Sequence, residues 1–453
     1  MQSFEVYRPL GAGEQIFWLH DQAHSLHFAL TAQIKGKFTV TQLQQALHFV
    51  QQRHPFLRVR IALDEAKYPW FVEDHADIPL RVVQRLSEQQ WQREVEQEIA
   101  TPFIWSQAPL VRVVLVHSSN GAELSELIVI CHHSIGDGIS VTYLIRDILQ
   151  AMPTATPSVY TTPTIFGQSL SVPPSLEELI VDRTPEKVSL LKPIPTFISD
   201  SFLVGQRAKQ PNCSFVSSGS LSPETTRLLI ARCRQEQTSV HAAICAAFLL
   251  AVRQQNHSKQ TQNLNCTSPI NLRPYLTSAN QENFSLYIGA ERTSHLLSFD
   301  ADFWEVARSA KQQLKQSMTS NKLFGKIFQL QQWLSTHSSP DDALQVFKDQ
   351  LDYDITVSNL MRLTITQQFG ELELQAIYGP VVTTGVKNDR LVGVATLGDR
   401  LFFTLVCSER VMLQSQTKTL HEEAIHLLNE AIASNYEEQR EIVCKSNDLL
   451  KKV

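Results

Sequence analysis

What this sequence lacks narrows its identity first. No apolar run approaches the roughly 20 residues that a membrane-spanning helix requires, so no transmembrane segment is expected. The opening stretch, MQSFEVYRPLGAGEQ, has no basic region leading into an apolar one, and no secretory signal is visible in it. Seven cysteines (Cys131, Cys213, Cys233, Cys245, Cys266, Cys407 and Cys444) are scattered singly with no CxxC pair, a pattern that fits a reducing, cytoplasmic setting and argues against a cysteine zinc site. A net charge of −5 with no long basic run gives nucleic acid no footing. The GxSxG elbow, the GxxxxGK[ST] phosphate loop and the GxGxxG turn are all missing, which removes the local signatures of serine hydrolases, P-loop enzymes and dinucleotide oxidoreductases. His421 and His426 mimic a zinc-protease helix, but their spacing of five places them about 140° apart. They read as a solvated helix face, and no metal site is expected.

What is present centres on one stretch, ELIVICHHSIGDGISVTYLIRDILQ. Leu127 to Cys131 is a short apolar run suited to a buried strand, and Ile139 to Leu149 carries apolar residues nearer to helical spacing. Between them, Gly136 and Gly138 flank Asp137 and permit a sharp turn that leaves polar side chains at the strand's end. Neighbouring side chains of an extended segment point to opposite faces, so His132 and His133 cannot share one substrate atom. One is expected to be reactive and the other structural. Asp137, if buried, needs a cation or several donors to stay ionised, and a distant arginine is its natural partner. The competing reading is a pair of core histidines that merely ends a strand.

At 453 residues, with 43% hydrophobic and 19% charged residues, the chain has an ordinary globular composition and exceeds what one core usually serves. Leu26 to Ile34 alternates apolar and polar residues as a half-buried strand does, and a helix follows from Thr41 until Pro55 stops it. Strands at Phe56–Ala62 and Val111–His117 with a helix near Ser87–Ile99 indicate an α/β layer arrangement. Ala151 to Lys209 is rich in Pro, Ser and Thr and reads as a linker, part of it packed along the surface or covering an entrance. Ser222-Pro223-Glu224 starts a helix, and the Ala-rich segment Ser239–Leu250 suits an inner one, with His241 structural in its first turn. Further strands are predicted at Leu264–Pro269, Tyr353–Leu360, Glu371–Tyr378, Leu391–Thr396 and Leu401–Cys407, the last two forming a hairpin through Gly398-Asp399. A helix from Thr417 to Ile432 closes the pattern.

His132-His133-Ser134-Ile135-Gly136-Asp137-Gly138 resembles the HHxxxDG motif of the coenzyme A-dependent acyltransferase superfamily, which includes condensation domains of peptide synthetases, BAHD plant acyltransferases, wax ester synthases and mycobacterial polyketide-associated acyltransferases. The resemblance implies that His133 is a general base, that Asp137 orients the loop, and that His132 and Gly138 support it. GKFTVTQLQQALHFVQQRHPFLRVRI is similar to the opening strand, helix and RHxxLR segment of condensation-type domains. SPINLRP resembles the (N/D)LRP segment, which makes Arg273 the implied partner of Asp137; standing alone, an arginine before proline is more often a surface loop residue. VSNLM resembles VSNxG, with Met361 where the family often has glycine, and points to Ser358 and Asn359 as oxyanion or tunnel residues. The DFGWG motif of BAHD enzymes is absent, whereas YGPVVTTG and LFFTLVCSERVM look closer to the bacterial polyketide-associated branch, the phthiocerol dimycocerosyl transferase-like enzymes.

The fold implied is an α/β sandwich of two chloramphenicol acetyltransferase-like halves, a V-shaped pseudo-dimer with a central tunnel. Its expected parts are an N-terminal half at 1–170, a linker at 171–210 and a C-terminal half at 211–453. The implied reaction moves an acyl group from acyl-CoA or a phosphopantetheinyl acyl-carrier protein to a small-molecule alcohol, with no tightly bound cofactor. Two alternatives stand beside it: a free-standing condensation domain forming an amide, and an inactive binding module that kept the fold. A covalent route would use Ser134 or Cys131. Cys131 ends a buried strand and Ser134 lacks an elbow, so direct transfer is favoured.

Overall fold

The turn and alternation signals of the first 150 residues produce a continuous series of short elements in the computed structural model, which describes residues 5–118, 124–152, 169–181, 213–256, 260–276, 282–337, 339–350 and 353–450. Strand β1 (Val6–Pro9) and helix α1 (Ala12–Ala23) lead into β2 (His27–Lys35) and α2 (Val40–Arg53). Thr39 opens α2 through a reciprocal cap: its Oγ1 accepts from Gln42 N at 3.2 Å, and Gln42 Oε1 accepts from Thr39 N at 2.7 Å. Next come β3 (Val59–Leu63), β4 (Pro69–Glu73), β5 (Leu80–Gln84), α3 (Gln90–Ala100), β6 (Val111–His117), β7 (Leu124–His132) and α4 (Gly138–Ala151).

Most of the proline-rich stretch 151–209 lies outside the described residues. The part within them, 169–181, is packed and carries α5 (Leu176–Val181). Buried Glu177 accepts from Ala12 N at 2.5 Å at the start of α1, and Tyr287 Oη donates to Pro174 O at 2.9 Å. The segment therefore ties the two parts of the chain together.

The remaining elements are β8 (Ser214–Leu221), α6 (Pro223–Gln235), α7 (Val240–Gln255), β9 (Gln262–Asn271), β10 (Ile288–Leu297), α8 (Phe303–Ser317), α9 (Ser320–Leu334), α10 (Pro340–Gln350), β11 (Ile355–Arg362), β12 (Gln368–Phe369), β13 (Leu372–Val382), β14 (Arg390–Leu397), β15 (Arg400–Ser408) and α11 (Gln414–Leu450). Two six-stranded mixed sheets result, ordered β12-β13-β2-β7-β6-β5 and β10-β9-β11-β14-β15-β8, with a small sheet β1-β4-β3 beside them. The hairpin across Gly398-Asp399 has Leu397 opposite Arg400.

Three expectations need correction. Residues 26–34 do not form a half-buried strand: β2 lies between β7 and β13 and is covered by α3 and α4, so that His27 and Thr31 are each only 1% exposed. His27 meets its burial by bonding Glu98 O at 3.0 Å. His421 is not on a solvated face, because α11 lies against α7 and β8; the ring is buried, bonds Ser217 Oγ at 2.8 Å and stacks near Phe248, while His426 is exposed. The last helix also runs further than Thr417–Ile432.

The division into 1–170 and 211–453 assigns β13 to the second half, yet β13 pairs antiparallel with β2 of the first sheet, Ile377 opposite Ala32. It also contacts β14 and β15 of the second sheet. Gly393 of β14 permits this crossing, since a Cβ there would collide with the backbone at Gly379 and Pro380. Strand β13 thus joins the two sheets along their seam.

Candidate active site

The motif sits where β7 gives way to α4, and the strand geometry separates its two histidines. His132 is fully buried; its Nδ1 accepts from Ser134 N at 3.2 Å and its Nε2 lies 3.5 Å from Asp21 Oδ2 of α1. His133 points the other way, into a cavity of about 360 Å³ that is also lined by Asp137, Gly138, Ser358 and Asn359. Both parts of the chain supply its walls.

The His133 ring is gripped on two sides. Phe17 of α1 stacks on it at 4.5 Å between centroids and 14° between planes, and Phe28 of β2 lies at 4.7 Å and 45°. Nδ1 is 3.1 Å from Gly136 O. A carbonyl oxygen only accepts, so Nδ1 carries the proton and Nε2 keeps its lone pair. Burial pushes the imidazole down to about 4, against a smaller upward pull from Asp137. At neutral pH the ring is uncharged and ready to accept a proton.

Asp137 does not take part in a relay with His133. It caps α4, its Oδ1 accepting from Ser140 N at 2.9 Å and from Ser140 Oγ at 3.0 Å, while its Oδ2 accepts from Arg273 Nη1 at 2.7 Å and Tyr287 N at 2.9 Å. Burial alone would raise this carboxyl; the Arg273 charge and the hydrogen bonds outweigh it and hold the group below its ordinary value. Arg273, 3% exposed, also donates through Nη2 to Ser140 Oγ at 2.8 Å and Ser285 O at 3.0 Å. The pair joins the loop after β7 to the loop after β9. It fixes where the cavity wall stands.

Ser358 and Asn359 of β11 line the same cavity as the motif. Asn359 Oδ1 accepts from Met361 N at 2.7 Å, so its amide nitrogen remains as the donor end. Met361 has φ of 63°, a conformation that glycine adopts freely and methionine does not. Leu360 packs on Gly138 so closely that a Cβ there would lie 2.7 Å from Leu360 Cδ2. That contact is why a glycine ends the motif.

The RHPFLR segment is brought to the back of the same helix: His54 Nε2 lies 2.9 Å from Asp147 Oδ2 of α4, and Arg58 bonds Glu73 and the end of α2. Cys131 and Ser134, the conceivable nucleophiles, are both fully buried and neither lines the cavity. Burial, with Asp137 nearby, raises the Cys131 thiol well above its ordinary value. His241 is not part of the cavity wall; its Nε2 lies 2.9 Å from Ser268 Oγ. Phe17, Phe28, Tyr143 and Leu360 were not visible as site residues in the sequence. Phe28 had a signal, since alternation placed it on the apolar face of its strand; Phe17, on a separate helix, had none.

Two mixed sheets meeting at a cavity that holds the histidine of an HHxxxDG turn define a condensation-type fold. Residues 16–156 match the condensation domain model, and residues 214–349 match that of the phthiocerol/phthiodiolone dimycocerosyl transferase C-terminus. Each model covers less than half of the chain, which is thus similar to condensation domains over its first part and to the dimycocerosyl transferase C-terminus over its second. Among curated relatives, tyrocidine synthase 3 of Brevibacillus parabrevis is 27% identical over 150 residues, which is 32% of this chain and 2% of that protein. Bacitracin synthase 3 of Bacillus licheniformis is likewise 27% identical over 150 residues, 32% of this chain and 2% of that one. The matched region is thus a small fraction of these large synthetases.

Solved structures share the whole fold. Polyketide synthase associated protein 5 from Mycobacterium tuberculosis superposes with a TM-score of 0.64 at 17% identity, over 96% of this chain and 100% of that one. The trichothecene 15-O-acetyltransferase of Fusarium sporotrichioides gives a TM-score of 0.67 at 11% identity, covering 94% and 95%.

Proposed function

We propose that this protein is an acyltransferase that moves an acyl group from a thioester, carried by coenzyme A or by an acyl-carrier protein, to an alcohol in natural-product or lipid biosynthesis. The observation that carries this reading is the state of His133: Nδ1 held on Gly136 O, Nε2 free, and the ring facing a cavity built mainly from apolar side chains. Nε2 takes the proton of the acceptor hydroxyl as its oxygen attacks the thioester carbonyl. The C–S bond then breaks, and the imidazolium returns the proton to the departing thiolate. Ser358 and Asn359 both line the cavity, and the oxyanion donor is one of the two, the Ser358 hydroxyl or the Asn359 amide, since neighbours on a strand do not share one substrate atom. Asp137 and Arg273 hold the loop, the Asp137 carboxylate being committed to Ser140, Arg273 and Tyr287.

Burial of Cys131 and Ser134 supports direct transfer without an acyl-enzyme. Initial-rate lines for the two substrates should then intersect. A stable one-acyl mass increase on enzyme incubated with thioester alone, lost with turnover in Ser134→Ala or Cys131→Ala, would overturn direct transfer. The function itself is tested by incubating the protein with a panel of acyl thioesters and alcohols and weighing the products. No thioester-dependent product, or undiminished product with His133→Ala, would refute it.

The match of residues 16–156 to condensation domains supports a second reading, amide formation on an amine acceptor. A panel that includes amines separates the two: an ester product is cleaved by hydroxylamine and an amide is not.

A further inference from the structure

The imidazole of His133 needs two things fixed if it is to serve a thioester and an acceptor held together: the plane of the ring and its rotation within that plane. The Nδ1–H to Gly136 O bond anchors the ring at one edge but covers neither face, and the plane is held as well by what lies flat on it. We infer that Phe17 is a positioning residue, which fixes the plane of the His133 ring and keeps water from its back face. This rests on the reading of His133 as the base. Phe28 lines the cavity beside His133, whereas half-buried Phe17 is not part of its wall and lies flat on the ring. An interplanar angle of 14° at 4.5 Å is a flat stack, and any rotation of the histidine about its second side-chain torsion breaks it. Phe17 is itself held from behind, by an edge contact with Phe347 of α10 at 5.7 Å and 71°. Phe347 in turn packs on His20 at 4.1 Å. A row of rings thus runs from α10 through α1 to the reacting nitrogen.

The charged and titratable groups around His133 do not supply this control. Asp137 is committed to Arg273, His132 and Cys131 lie in the interior, and His27 of β2 bonds to α3. Tyr143 and Arg362 stand on the cavity walls. What keeps the imidazole neutral is burial, and Phe17 lies flat over one face of the ring.

The test uses two variants of the intact protein. Phe17→Ala opens the back of the ring to water and removes the stack; Phe17→Leu keeps the site dry but removes the flat partner. The His133 titration is followed by proton–carbon NMR of labelled histidine, alongside the pH profile of kcat/KM. Phe17→Ala should move the His133 midpoint up from about 4 toward the free value of about 6.5, carrying the acid limb with it. Phe17→Leu should leave the midpoint low and reduce kcat by about tenfold through misalignment alone. An unmoved midpoint in Phe17→Ala, or an unchanged kcat in Phe17→Leu, overturns the inference. If Phe17→Ala does not fold, the kcat of Phe17→Leu decides. Failure of the underlying reading looks different, because a His133→Gln variant would then retain turnover while the NMR titration still reports on Phe17.

Discussion

His133 and His421 are alike in almost every local measure and differ in one. Burial lowers both rings to about 4, both lie against aromatic rings, and both have one nitrogen anchored, the first to Gly136 O and the second to Ser217 Oγ. The remaining nitrogen of His421 is sealed inside the packing of α11, whereas His133 lines a cavity. A depressed basicity therefore marks a buried histidine, and only access for a second molecule makes it a base.

The most forceful way to break this comparison is to delete both rings separately. His133→Ala should lower turnover by roughly 10² to 10⁴ with an unchanged melting temperature, while His421→Ala should keep turnover and lose about 1 to 3 kcal/mol as Ser217 is left unpaired. Equal losses of activity would erase the distinction. Next in size is the lock beside His133. Asp137→Ala strands the Arg273 guanidinium, and losing one member of such a pair costs about 3 to 5 kcal/mol. Urea unfolding of Asp137→Ala and Arg273→Ala should show both losses, with activity falling as the loop drifts; two variants of wild-type stability and rate would show that the pair is dispensable.

Acid sharpens the comparison differently. A histidine whose folded value is lowered from 6.5 to about 4 leaves the unfolded chain binding the extra proton between those limits. The stability it contributes is complete above 6.5 and is lost as pH falls through 4, roughly 3 kcal/mol for His421. Unfolding free energies at pH 7 and pH 4 should therefore differ less in His421→Gln than in the wild type, and an equal difference would place the acid sensitivity elsewhere. The smallest effect is at the cavity lip. Met361→Gly removes a side chain from a left-handed position and should raise stability by about 1 kcal/mol, measurable as a higher urea midpoint.

Much of the site was legible because its parts are local. A strand ending in two histidines must send them to opposite faces, so their divergence needed no tertiary knowledge; which of the two meets the cavity was carried only by the resemblance to the HHxxxDG motif. Arg273 was reached only through its NLRP context, since nothing in spacing joins it to Asp137. Phe17 left no trace, because its value depends on where α1 comes to rest. Two of the errors share one cause as well. Alternation in β2 and charge around His421 report what a segment could expose, but cannot say that a second layer will cover the polar side, as α3 covers His27 and β8 meets His421.

Strand β13 carries a consequence for biosynthesis. Until Leu372–Val382 has left the ribosome, β2 is an open edge of the first sheet, with nearly every side chain made for burial. The amino-terminal part thus cannot mature by itself as an ordinary domain would while translation continues. Every residue from Ser134 to Val382 must be made after His133 before the sheet that carries this histidine can close. An incomplete chain would be a substrate for chaperones, and a gene split at the proline-rich stretch would yield a first fragment that precipitates unless the second is made beside it.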